Sequence, residues 1–145
     1  MLFNFSNFFD GFHALLYSDP GKGNVQDVES RKKILDNIIG YTSNHISIPL
    51  QTHSNKVVWA KEDYAHESSD GILCTGKERE YISIQVADCV PIYMVDINKG
   101  FCGLVHSGWR GSLKSIVLEA IRMFEERESN LRDLKFLLGP HIHQQ

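Results

Sequence analysis

A chain of 145 residues, 42% apolar and 23% charged, carries enough hydrophobic material for one packed core and lacks the apolar depletion that marks disorder. Its formal net charge of −3, with Lys and Arg scattered, excludes the basic stripe that gathers nucleic-acid phosphates. No run reaches the about 20 apolar residues of a membrane span. The Phe-rich start, Met1–Asp10, has no basic flank, unbroken apolar core or small-residue cleavage site, so neither membrane nor secretion is expected and the cytoplasm is the expected setting. Cys74, Cys89 and Cys102 are odd in number and include no Cys-x-x-Cys pair, which predicts neither a disulfide framework nor a zinc ribbon.

In chain order, His13–Tyr17 reads as a short strand closed by the Pro- and Gly-bearing turn Ser18–Gly23. A helix is expected within Asp27–Ile39, because Val28, Leu35, Ile38 and Ile39 share one face, acidic residues come early, and Gly40 can form a left-handed cap. Short strands follow at Ile46–Leu50, Lys56–Ala60, Gly71–Cys74, Tyr81–Val86, Pro91–Asp96 and Phe101–His106, each rich in Ile, Val or Tyr and bounded by turn residues. The near-continuous apolar runs Ile82–Val86 and Ile92–Val95 predict strands covered on both faces, hence helices over the sheet. Leu113, Ile116, Val117, Ala120, Ile121 and Phe124 recur at helical spacing, with Ser112 as candidate N-cap, and Leu134–Leu138 reads as a last strand. No internal repeat or linker interrupts residues 1–145, which are expected to form one domain.

Three stretches at strand ends carry chemistry: Gln51-Thr52-His53-Ser54, Ala87-Asp88-Cys89-Val90-Pro91 and Val105-His106-Ser107-Gly108-Trp109-Arg110-Gly111. His53, Cys89 and His106 lie far apart in the chain, so only the fold can bring them together. Two imidazoles and a thiolate suit a borderline-soft ion such as zinc and leave a fourth position open, where a bound water would have its pKa lowered toward about 7. The alternative reading is a small buried Cys and unconnected histidines. Gly108–Gly111 is expected to lie between a strand and the start of the strongest helix, where backbone N–H groups favour an anion and Arg110 could clamp phosphate or carboxylate. A plain turn, with Trp109 in the core and Arg110 in solvent, is the other reading. Asp88 either orients a ligand imidazole or caps a turn. Cys74 and Cys102 read as inert packing. His13, His45 and His66 have no supporting context, whereas His141 and His143 are spaced to point the same way on an extended segment.

Taken together, Gln51-Thr52-His53, Ser69-Asp70-Gly71, Ala87-Asp88-Cys89-Val90-Pro91, His106-Ser107-Gly108-Trp109-Arg110-Gly111 and Leu138-Gly139-Pro140 resemble, in order, the blocks of the YfiH/LACC1 family. That family is also called the laccase-domain, polyphenol oxidase or peptidoglycan-editing-factor family. The resemblance implies an α/β (α+β) fold, a layered alpha/beta/beta/alpha sandwich with mixed sheets similar to the catalytic domain of cytotoxic necrotizing factor. It implies a metal site, zinc or alternatively copper, at His53, Cys89 and His106, and it places a substrate- or phosphate-binding role on Arg110, Arg31 and Asp88. Where the family usually carries Asn-Arg in its first helix, this chain has Ser30-Arg31. Family chains also run well past the Gly-Pro block, so a form shortened at its C-terminus is expected.

The activity implied is phosphorolysis of the purine nucleosides adenosine, inosine and methylthioadenosine, together with adenosine deamination, with Cys89, His106 and Arg110 as catalytic residues and nucleoside and phosphate as partners. Two other enzyme classes compete. One is a Cys–His hydrolase of the peptidoglycan-editing or amidase kind, with Cys89 as nucleophile and His106 as its base. The other is copper-dependent phenol oxidation, which demands more copper ligands than a chain with seven His readily provides.

Overall fold

The structure is a computed structural model that describes residues 2–4, 6–9, 12, 14–17, 27–40, 45–76 and 80–142. The expected turn Ser18–Gly23, His13 and His143 lie outside the described residues.

In chain order the elements are β1 (Leu2–Asn4), β2 (Leu15–Tyr17), α1 (Val28–Ile39), β3 (His45–Pro49), β4 (Val57–Trp59), β5 (Ala65–His66), β6 (Gly71–Cys74) and β7 (Glu80–Ile82). They continue with β8 (Val90–Asp96), β9 (Phe101–Ser107), α2 (Trp109–Leu113), α3 (Ile116–Glu125) and β10 (Leu134–Leu138). A five-stranded sheet in the order β10-β8-β9-β6-β4 dominates. It is mixed, with β4 parallel to β6 and the other neighbours antiparallel. The three-stranded sheet β5-β3-β7 is parallel throughout, not mixed as expected, and β1 and β2 form a separate antiparallel pair.

The alternation of strand side chains divides the large sheet into two faces. Leu73, Ile92, Met94 and Val105 point to the α3 side, where they meet Ile116, Ala120 and Phe124. Tyr93, Val95, Cys102 and Leu104 point the other way, toward Phe9 and Ala14. Gly103 is a glycine for reasons of space: a Cβ there would stand 2.5 Å from Leu73 Cδ2 and 3.5 Å from Phe124 Cζ. Helix α1 forms as its sequence predicts. Asp27 accepts a hydrogen bond from Ser30 N at the N-cap, and Gly40 takes the left-handed C-cap conformation at φ 74°.

Three expectations change. The helix predicted to start at Ser112 begins instead after Ser115, which adopts φ 60°, so α2 and α3 are separate and Leu113 is left exposed. Ser112 turns its hydroxyl to Ser107 Oγ and Gly108 O, fastening the turn after β9 rather than capping a helix. Residues 83–86 are not strand: Ser83 N still donates to Ser47 O of β3, but Ser83 O accepts from the Arg31 guanidinium and Gln51 and Gln85 exchange two hydrogen bonds, so side chains take up the polar groups after that point. Finally, Cys74 and Cys102 are not two inert packed thiols but a disulfide, because the β6–β9 register sets them directly opposite at a Cα–Cα distance of 5.3 Å. No helix among the described residues is long and apolar enough to cross a membrane.

Candidate metal centre

The site is assembled where three strand ends converge. Gln51–Ser54 follows β3, and the reciprocal pairing of Gln51 with Gln85 (2.6 and 2.7 Å) ties this loop to the segment that leads into Cys89. His53 sits at φ 58°, a left-handed conformation unfavourable for a side chain with a Cβ. The buried carboxylate of Asp70, just before β6, holds it there. Thr52 N, His53 N and Ser54 N donate to Asp70 at 3.1, 2.9 and 2.6 Å, and Ser54 Oγ adds a fourth bond at 2.8 Å.

His106, near the end of β9, is 4% exposed and pairs through Nδ1 with Asp70 Oδ1 at 2.8 Å. Burial works against the Asp70 charge, yet the hydrogen bonds from His106, Ser54 and Thr52 outweigh it and hold the carboxyl well below the usual carboxylate range. An ionised Asp70 accepts only, so Nδ1 of His106 is the donor and Nε2 is the nitrogen left to face an ion.

Cys89 stands immediately before β8. Its loop is braced by Ile142 N donating to Asp88 O (3.3 Å) and Gly139 N to Pro91 O (2.8 Å). Gly139 packs so closely that a Cβ would lie 2.8 Å from Pro91 Cγ. Burial first, and then the charges of Asp88 and Asp70, push the Cys89 thiol up. That is the reverse of the electropositive setting that activates a cysteine nucleophile, whereas a bound cation removes the obstacle to a thiolate.

The donor atoms of His53, Cys89 and His106 all lie within 4.8 Å of one another, in a sequence from exposed through half-buried to buried. The two imidazoles meet edge to face at 4.9 Å. The residue that permits this is Gly108, where a Cβ would come within 2.9 Å of His53 Cδ2 and 3.2 Å of Cys89 Sγ. Two imidazoles and a thiol, with one imidazole already oriented by a carboxylate, fit a zinc or copper ion with a vacant coordination position. Among the described residues this is the one such group of His, Cys, Asp or Glu side chains.

The remaining expected site residues fall around it. Trp109 and Arg110 open α2 next to the cluster, Arg110 stacked on the Trp109 ring at 4.7 Å, and Trp109 is 65% exposed rather than in the core. Gly108 has φ −74°, so it supplies room and not a left-handed turn, and α2 is a five-residue helix distinct from the long one expected there. Asp88 is exposed, and it is Asp70 that hydrogen-bonds the His106 imidazole. Arg31 lies on α1, largely buried, and donates to Ser83 O (2.9 Å) and Ser83 Oγ (3.3 Å); burial pulls its pKa down to about 10. His45 pairs with Asp63, His66 with Ser47, and His141 Nδ1 with Gly139 O. Asp70 was not singled out from the sequence for any chemical role; its signal was a polar Ser69-Asp70-Gly71 triplet leading into an apolar strand.

A mixed α/β fold with two His and one Cys gathered at its strand ends defines the class: an α/β domain with a candidate metal site. The chain belongs to the multi-copper polyphenol oxidoreductase laccase family, whose sequence model matches residues 12–145. A purine nucleoside phosphorylase of Staphylococcus epidermidis is 30% identical over 122 residues, which cover 78% of this chain and 45% of the relative. Among solved structures, YlmD of Geobacillus stearothermophilus superposes with a TM-score of 0.70 at 25% identity, and the YfiH protein of Bacillus licheniformis with 0.67 at 26%. Each of these matches covers 79% of this chain and 46% of the solved one. The chain thus spans about half the length of the relatives it matches.

Proposed function

We propose that this chain acts in the phosphorolysis of purine nucleosides, with adenosine, inosine and methylthioadenosine as substrates and adenosine deamination as a second activity. The observation that carries the reading is the convergence of His53, Cys89 and His106 beside the solvent-facing pair Trp109 and Arg110. The names of the relatives support the substrate class.

His53, Cys89 and His106 are the residues that would hold the ion, zinc in this reading with copper as the alternative. When bound, such an ion supplies Lewis acidity and local positive charge. Arg110 offers a planar pair of N–H donors to phosphate, its guanidinium stacked over the Trp109 ring. Asp88 presents an exposed acceptor beside Cys89 for the donor groups of a nucleoside. Arg31 and Gln51, by gripping Ser83 and Gln85, set the path of the backbone into Asp88 and Cys89. In phosphorolysis a phosphate oxygen bonds to the sugar C1′ as the glycosidic bond breaks, and the base departs with a proton.

Following adenosine and inosine conversion with and without inorganic phosphate tests this. Sugar phosphate and free base formed only with phosphate are expected, and base released equally in both conditions overturns phosphorolysis. Stoichiometric alkylation of Cys89 under saturating zinc would turn the reading toward a Cys–His hydrolase.

A further inference from the structure

We infer that Asp70 is the positioning residue of the metal centre, a single carboxylate that aligns both imidazole ligands, one through its ring and the other through its backbone. The inference rests on the metal reading above and extends it to a residue that does not touch the ion.

The geometry is a division of labour between two oxygens. Oδ1 faces Nδ1 of His106 at 2.8 Å and accepts from His53 N at 2.9 Å, so one atom touches both ligand residues. Oδ2 accepts from Thr52 N, Ser54 N and Ser54 Oγ at 3.1, 2.6 and 2.8 Å. The side chain is fully buried, and its own backbone is pinned as well, because His106 N donates to Asp70 O at 2.7 Å.

Two consequences follow for the ligands. Pairing at Nδ1 leaves His106 one nitrogen, Nε2, with which to bind, and fixes the ring against rotation. At His53 the effect runs through the main chain: three successive N–H groups bent around one carboxylate stabilise the left-handed conformation at φ 58°, and that conformation aims an exposed side chain at Cys89 and His106. Ordinary fold stabilisation explains a buried carboxylate with hydrogen bonds. It does not explain why these bonds fall on both imidazole-bearing residues of one cluster.

The test measures affinity for Zn²⁺ by chelator competition, and the absorption spectrum of the Co²⁺-loaded protein, for the unaltered chain, Asp70→Asn and Asp96→Asn. Asp96 is equally buried, and its carboxylate accepts from Asn98 N and Lys99 N in the β8–β9 turn, so it controls for loss of a structural carboxylate. Asp70→Asn is expected to lower affinity about 10–100-fold and to change the Co²⁺ spectrum, whereas Asp96→Asn leaves both unchanged even as it lowers Tm. Ser54→Ala, which removes one of the bonds to Oδ2 together with the bonds of Ser54 Oγ to Ser68 O and Lys56 N, gives a milder version should Asp70→Asn fail to fold. Nitrogen-15 spectra of the histidine rings add a readout free of any variant: His106 must show a protonated Nδ1 before metal is added. Unchanged affinity in folded Asp70→Asn, or an Nδ1 of His106 that carries no proton, overturns the role of Asp70 alone. Failure of the unaltered chain to bind Zn²⁺ or Co²⁺ overturns the metal reading and this role with it.

Discussion

Nδ1 of His106 and Oδ1 of Asp70 lie 2.8 Å apart, both buried, at the end of the β6–β9 ladder that emerges among the loops bearing His53 and Cys89. A histidine so held is a preset ligand. The exposed His53 is the adjustable one.

Gly108→Ala places a methyl group 2.9 Å from the His53 ring and 3.2 Å from the Cys89 sulfur. Because His53 is exposed it can swing away, so the cost in stability is expected to stay below about 1 kcal/mol. Zn²⁺ affinity, measured by chelator competition, is expected to fall at least about tenfold. An affinity equal to that of the unaltered chain would show that the glycine is not what lets the ligands meet.

Replacing Cys89 by Ala removes the soft donor while leaving a half-buried position that a methyl group tolerates. Elemental analysis of the purified variant is expected to show the loss of one equivalent of metal, with an unchanged circular dichroism spectrum. Retention of the full equivalent would place the ion elsewhere.

The Cys74–Cys102 bridge closes a loop of 28 residues in sequence. Cross-links of that span stabilise by about 3–4 kcal/mol in the chain-entropy account. Cys102→Ala should therefore unfold at lower denaturant concentration than the unaltered protein under oxidising conditions, and adding reductant should bring the two midpoints close together. Three thiols reacting in denatured, unreduced protein would rule the bridge out.

His66 provides a pH dependence. It is buried, and its Nε2 accepts from Lys61 N at 3.3 Å and lies 3.0 Å from Ser47 Oγ. Burial, followed by the charges of Lys61 and Lys56, lowers its pKa below the ordinary histidine value. A depressed pKa means that the unfolded chain takes up the proton first as the pH drops. The stabilisation from neutral His66 is thus complete above the unfolded-state pKa of about 6.5 and is lost as the pH falls through it toward the folded value. Between pH 7.5 and 5.5 the Tm is expected to fall by about 2–4 °C more for the unaltered chain than for His66→Gln. Parallel melting curves for the two would remove His66 from the account.

Local signals carried much of this architecture. Helix α1 announces itself through Asp27, Gly40 and its apolar face, and β6 and β10 fall at the residues their composition predicts. His53, Cys89 and His106 are legible as a set through the resemblance of their three blocks to one family, since chemistry alone leaves unconnected residues as the alternative reading, and the fold brings them together. What local reasoning misses is decided by contacts distant in sequence. The apolar period running from Leu113 to Phe124 gives no warning that Ser115 will turn left-handed, with Asn55 Nδ2 bonded to the carbonyl of neighbouring Lys114. Residues 83–86 look like strand until Arg31 and Gln51 claim their polar groups. Asp70 looks like a turn residue, and Cys74 and Cys102 like packing, because their partners are set by the register of β6 against β9.

That register links two distant features of the molecule. Asp70 and Cys74 project from the same side of one strand, and His106 and Cys102 from the same side of its neighbour, with Ile72 opposite Leu104 between the pairs. A slip of one residue would turn both pairings to opposite faces at once. Correct oxidation at one end of the ladder and a competent ligand at the other are therefore won or lost together, and metal uptake by a refolded sample becomes a direct assay of whether its two central strands have found their alignment.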